Sequence, residues 1–146
     1  MVADALYEQN LGDIALVSMA EQDENYYKND YGVGDWLYKG EFMETDISIL
    51  CSNEGSHCIE TASMKGTKLL EYISNGKTMK DEYSGEESTW MYCSSGINAK
   101  DIDEESVYTV IFLNGDYPEE IARNNKVKDT GIFMMDACKE YIKKRY

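Results

Sequence analysis

Residues Ser106 to Leu113, Ser-Val-Tyr-Thr-Val-Ile-Phe-Leu, constrain this chain more than any other stretch. β-Branched and aromatic side chains run through it, and they suit a pleated surface packed against neighbours. Other segments offer it partners. Thr67 to Ile73 and Lys77 to Tyr83 flank Ser74-Asn75-Gly76, and Asn-Gly tolerates the positive φ of a tight turn, so a hairpin is predicted there. Ser88 to Ser94, with Trp90, Met91 and Tyr92, reads as a further strand, and the acidic stretch Asp101 to Glu105 as a solvated connection.

Upstream, Met1 to Leu11 predicts a short helix with Val2, Ala5, Leu6 and Leu11 on one side and Gly12 as its C-terminal cap. Asp13 to Ala20 is apolar at nearly every position, as a strand covered on both faces would be. One long helix from Ala3 to Lys28 is the competing reading. Glu21 to Gly34 is polar and predicts a long exposed loop, followed by a strand at Trp36 to Tyr38. Phe42, Met43, Asp46, Ile47, Ile49 and Leu50 fit an amphipathic helix closed by Gly55, although Asp46 to Leu50 also suits a strand.

Asn114 to Asp129 reads as a polar crossing segment with Pro118 and the cations Arg123, Lys126 and Lys128. Asp129 or Thr130 would then cap a final helix to Tyr146. Met134, Ala137, Cys138 and Tyr141 repeat at helical spacing, and Lys143, Lys144 and Arg145 sit where cations favour a helix end. Helices at both ends of a run of strands imply the α+β class.

The length of 146 residues fits one domain, residues 1–146, able to bury a real core. Acidic residues number 28 against 14 basic ones, a net charge of −14 that repels nucleic acid and anionic lipid over most of the surface. No segment has the ~20 apolar residues that span a bilayer, and Met1 to Gln9 lacks the features of a signal peptide. A cytoplasmic monomer without stable membrane association is therefore expected. Cys51, Cys58, Cys93 and Cys138 are too sparse for a disulfide framework and lack metal spacing, so reduced thiols are expected.

Nothing in the residues organises a reaction. Any Ser-His-Asp or Cys-His arrangement would have to use His57, the one histidine, which lies in a polar Gly-Ser-His-Cys stretch. Gly32-Val-Gly34 lacks the strand-then-helix context of a dinucleotide loop, and Asp101, Asp103, Glu104 and Glu105 lack the glycine and twelfth-position glutamate of a calcium loop. A binding protein is expected, not an enzyme, with no cofactor or metal.

Four stretches resemble profilins, the small actin-monomer-binding proteins. Ala5-Leu-Tyr-Glu-Gln-Asn-Leu11 is similar to the family's N-terminal helix, and Asp13-Ile-Ala-Leu-Val17 to the strand after it. Lys65-Gly-Thr-Lys-Leu69 resembles the start of a middle strand, and Met134 to Tyr146 a C-terminal helix ending on an aromatic. The resemblance, to divergent archaeal-type members, implies an antiparallel sheet of about six strands. The terminal helices would pack on one face and a short helix on the other.

It further implies a cytoskeletal actin-binding protein. The family's actin face would map onto Lys68, Tyr72, Met91, Arg123, Lys126, Lys128, Gly131, Ile132 and Asp136. Its polyproline site would map onto Asp4, Tyr7, Glu140, Tyr141 and Tyr146, where two carboxylates stay hydrated and disfavour an apolar peptide. Polyproline binding should therefore be weak or absent. Two other readings compete. An acidic inhibitor or immunity protein would occupy the basic nucleic-acid groove of a partner. A pilin-like structural subunit would need one helix running through Lys28.

Overall fold

A computed structural model describes residues 1–18, 43, 45, 47, 57–74, 78–80, 87–89, 91–94, 97–114 and 127–145. Helix α1 (Val2–Tyr7) leads into β1 (Ile14–Ser18), and β2 (Cys58–Lys65) runs directly into α2 (Gly66–Ser74). Short strands β3 (Thr78–Lys80), β4 (Glu87–Thr89) and β5 (Met91–Cys93) precede a 3₁₀ turn at Ala99–Asp101. The chain then forms β6 (Val107–Leu113), β7 (Lys128–Phe133) and α3 (Met134–Arg145).

Five strands make one sheet in the order β5-β1-β6-β2-β7, while β3 and β4 pair separately. The sheet is mixed. β1 runs parallel to β6, with Ile14 opposite Val110, whereas β2 is antiparallel to both β6 and β7. β6 and β2 form the longest ladder, from Ile59 opposite Leu113 to Lys65 opposite Val107.

The alternation of side chains along the strands feeds two cores. On one face Ala15, Val17, Ile59, Ile111 and Leu113 meet Leu6 of α1 and Met134, Ala137, Cys138 and Ile142 of α3. On the other, Ile14, Leu16, Ala62, Met64, Val110 and Phe112 meet Leu69 and Tyr72 of α2. The continuous apolar reading of Ile14 to Val17 follows from this, because a strand buried on both faces has no polar side.

Several expectations are corrected. Among the described residues the main sheet is mixed and five-stranded, not the six-stranded antiparallel sheet of a profilin. Thr67 to Ile73 is helical, not the first strand of a hairpin, and its strand is the preceding Cys58–Lys65. Leu69 and Tyr72 lie three apart, about one helical turn, and both are buried. β3, within the strand expected at Lys77 to Tyr83, pairs with β4 instead, and the single strand expected at Ser88 to Ser94 contributes to both β4 and β5, which pair with different partners. The final helix starts at Met134, because Lys128–Phe133 pairs with β2.

The first helix stops at Tyr7, and the left-handed residue is Asn10 (φ 57°). Gly12 serves a different need. A Cβ there would lie 2.6 Å from the Thr109 carbonyl oxygen, so glycine permits the approach of the chain to β6. The strand at Ile14–Ser18 removes the single long helix, and with it the requirement of the pilin-like reading. The expected loop 21–34 and strand 36–38 lie outside the described residues, as do six of the nine residues of the expected helix 42–50. Of that helix, Thr45 and Ile47 are helical, Ile47 is buried, and Met43 is exposed.

Candidate functional site

Parallel strands place their carboxyl ends side by side, and ligands of open α/β sheets gather outside such ends. Here the carboxyl ends of β1 and β6 lie with the start of β2, the end of β7 and the start of α3. Backbone bonds knit this end together: Asn114 N donates to Cys58 O (2.9 Å) and Met134 N donates to His57 O (3.1 Å). Phe133, the last residue of β7, is 44% exposed at the rim.

A polar corner lies within this end. Glu60 on β2 is only 7% exposed and faces the α2 side of the sheet with Ala62 and Met64. Its Oε1 accepts from Nδ2 of Asn114 at 2.8 Å, just past the end of β6. Its Oε2 is shielded from solvent and has no hydrogen-bond partner among the described residues. Glu60 stands directly opposite Asp129 of β7, an arrangement of like charges that weakens a sheet unless something compensates.

Two residues before Glu60, on the same side of β2, lies Cys58. Burial pushes its thiol pKa up, and so do the Asp129 carboxylate, to which it hydrogen-bonds, and Glu60. The thiol is held protonated and is a poor nucleophile. Asp129 also accepts from Gly131 N at 2.7 Å, which fixes the left-handed turn at Gly131 (φ +71°). The Thr130 hydroxyl donates to Ile59 O at 2.6 Å and closes the irregular β2–β7 pairing. Among the described residues no group of three or more His, Cys, Asp or Glu side chains could hold a metal ion.

The described residues among those assigned to an actin face fall on both sides of the sheet. Lys68 and Tyr72 lie on α2, with the Lys68 ammonium 2.9 Å from Glu71 and 5.6 Å from the Tyr72 ring. Ile132 of β7 packs against the opposite core, with α1 and α3. Lys128 and Gly131 are exposed on β7, Asp136 is exposed in the first turn of α3, and Met91 is in β5. Arg123 and Lys126 lie outside the described residues.

The other predicted set falls mostly on neighbouring helices. Asp4 and exposed Tyr7 are on α1, Glu140 and Tyr141 on α3, and Tyr146 lies outside the described residues. Asp4 pairs with the N-terminal ammonium at 3.3 Å, and the Arg145 guanidinium stacks 3.7 Å from the Tyr141 ring while pairing with Glu8. Of these contacts, the Glu8–Arg145 pair joins the end of α1 to α3. Sequence reasoning missed Glu60 and Asn114, and the one available hint was a carboxylate in an otherwise apolar-alternating segment.

No family model and no curated protein matches the sequence. Solved structures do. The fold is similar to part of two 5′-nucleotidases. One is a 5′-nucleotidase precursor from Thermus thermophilus, with a TM-score of 0.64 and 14% identity over 98% of this chain and 31% of that one. The other is a putative 5′-nucleotidase from Staphylococcus aureus, solved in complex with alpha-ketoglutarate, with a TM-score of 0.61 and 13% identity over 97% of this chain and 32% of that one. This chain thus spans about a third of the length of each.

The likeness overturns the profilin resemblance and the actin-binding function drawn from it. Actin as partner, a cytoskeletal role and the exclusion of enzymes are withdrawn, since the neighbours sharing this fold are named as enzymes. The acidic-inhibitor and pilin-like readings gain no support from it either.

Proposed function

We propose that this chain is a nucleotidase-like domain that binds a 5′-nucleotide at the end of the sheet where β1 and β6 finish. The observation that carries this reading is the match of 98% of the chain to a part of a 5′-nucleotidase. The local chemistry fits a ligand with both a ring and hydrogen-bonding edges. Phe133, opposite Cys58, offers an exposed aromatic face, and Glu60 and Asn114 offer polar groups at the same end of the sheet.

The net charge of −14 opposes an anionic ligand over most of the surface. Added salt should therefore strengthen binding, since it screens repulsion between separated charges. The test is calorimetric titration with the four common 5′-nucleoside monophosphates at low and moderate salt, with phosphate release followed in parallel. Saturable binding of at least one nucleotide supports the reading, and phosphate release would extend it from binding to catalysis. Absence of binding for all four at millimolar concentration overturns it.

A further inference from the structure

Resting on the nucleotide-binding reading above, we propose that Glu60 and Asn114 select a guanine base. The starting point is the buried carboxylate oxygen Glu60 Oε2, which has no hydrogen-bond partner among the described residues. A buried acceptor left unpaired costs free energy, and a donor supplied by a ligand recovers it. Glu60 and Asp129 stand opposite each other, and neither meets a Lys or Arg among the described residues. The corner therefore calls for hydrogen-bond donors, and nothing in its own described side chains supplies enough of them.

The arrangement of acceptors decides which base fits. Asn114 Nδ2 is committed to Glu60 Oε1, so the amide turns its other atom, Oδ1, into an acceptor on an exposed residue beside the carboxylate. Two neighbouring acceptors match an edge that carries two neighbouring donors. Guanine has one, the ring N1–H and the exocyclic 2-amino group. Hypoxanthine keeps N1–H and lacks the amino group. Adenine and cytosine each put a ring acceptor where a donor is needed, and uracil flanks its single N–H with carbonyls that a carboxylate repels.

Oε2 is shielded, so the base must displace its cover. The exposed Asn114 marks the side from which this is easiest. A site that presents acceptors rejects analogues lacking the donors, because its own groups then stay unpaired.

The test is the affinity of GMP, IMP and AMP for the whole chain and for the Glu60→Gln variant. The wild-type chain should bind GMP roughly tenfold or more tighter than AMP, the range for a good two-point base contact, with IMP between them. Glu60→Gln puts a donor at the position and should erase that ranking while keeping the fold, checked by circular dichroism. Equal affinities in the wild type, or a GMP preference that survives Glu60→Gln, would overturn the assignment and leave nucleotide binding standing. If no nucleotide binds at all, both readings fall together. The wild-type ranking decides the matter even if the variant fails to fold.

Discussion

The Asp13 carboxylate accepts the Thr109 backbone N–H at 2.7 Å, while the Thr109 carbonyl accepts the Asp13 N–H at 2.8 Å. This reciprocal pair joins residues 96 apart in the chain and locks β1 into parallel register with β6. A single hydrogen bond is worth about 1 kcal/mol net. Asp13→Ala should lower stability by about that amount, read from the urea midpoint at unchanged slope. Asp13→Asn retains an acceptor and should lose less.

Gly66 and Gly131 should respond to alanine for different reasons. A Cβ on Gly66 would fall on the Asp103 carbonyl group and the Glu104 backbone, which cover the start of α2. Backbone offers no easy relief, so Gly66→Ala should cost about 3 kcal/mol, the upper range for overpacking. Gly131 has open space around it but a φ of +71°, so Gly131→Ala should cost only about 1 kcal/mol, from the left-handed backbone. Equal losses in thermal denaturation would contradict this assignment.

Glu8 ties α1 to α3 through Arg145, whose hydrogen bonds hold the Glu8 pKa below its ordinary value of 4.5. A depressed carboxylate stabilises the fold fully above its unfolded pKa, and the contribution fades as pH falls through the lower folded value. The pair is partly exposed, so the effect is modest. Wild type and Glu8→Gln should differ in melting temperature at pH 7, and the difference should shrink below about pH 4. A gap that persists at about pH 2, well below the ordinary carboxylate range, would assign the stabilisation to packing of the side chain.

Cys58 should react slowly. Burial and the carboxylates of Asp129 and Glu60 raise its thiol pKa, so little thiolate exists at neutral pH. Peptide mapping after brief iodoacetamide treatment at about pH 8, near the ordinary thiol pKa, should find it less modified than a free cysteine added as reference. Asp129→Asn removes one of the causes and should speed the reaction severalfold. An unchanged rate would leave burial and Glu60 as the causes.

The nature of individual segments was partly legible from the residues alone. Val107 to Leu113 carries its strand in its β-branched and aromatic side chains, and Ile14 to Val17 announces burial on both faces. The apolar positions of α3, Met134, Ala137 and Cys138, repeat with the helix and are all buried. Short ambiguous stretches failed. Leu69-Leu-Glu-Tyr-Ile73 is compatible with either period, and a helix formed because its buried positions face a core built by β2 and β6. Lys128 to Phe133 hid a strand behind Thr-Gly and a left-handed residue.

Long-range partnership was decided by the tertiary structure. Whether β1 runs parallel or antiparallel to β6 leaves the composition of either strand unchanged, and it separates this mixed sheet from an antiparallel one. Glu60 and Asn114 are 54 residues apart, and only the β2–β6 ladder brings their side chains within 2.8 Å. Local sequence sets periodicity and burial tendency, because each residue's conformational and hydration preferences act on its own neighbourhood. Register and strand order are set by which faces bury together, a property of the assembled core that no segment carries alone.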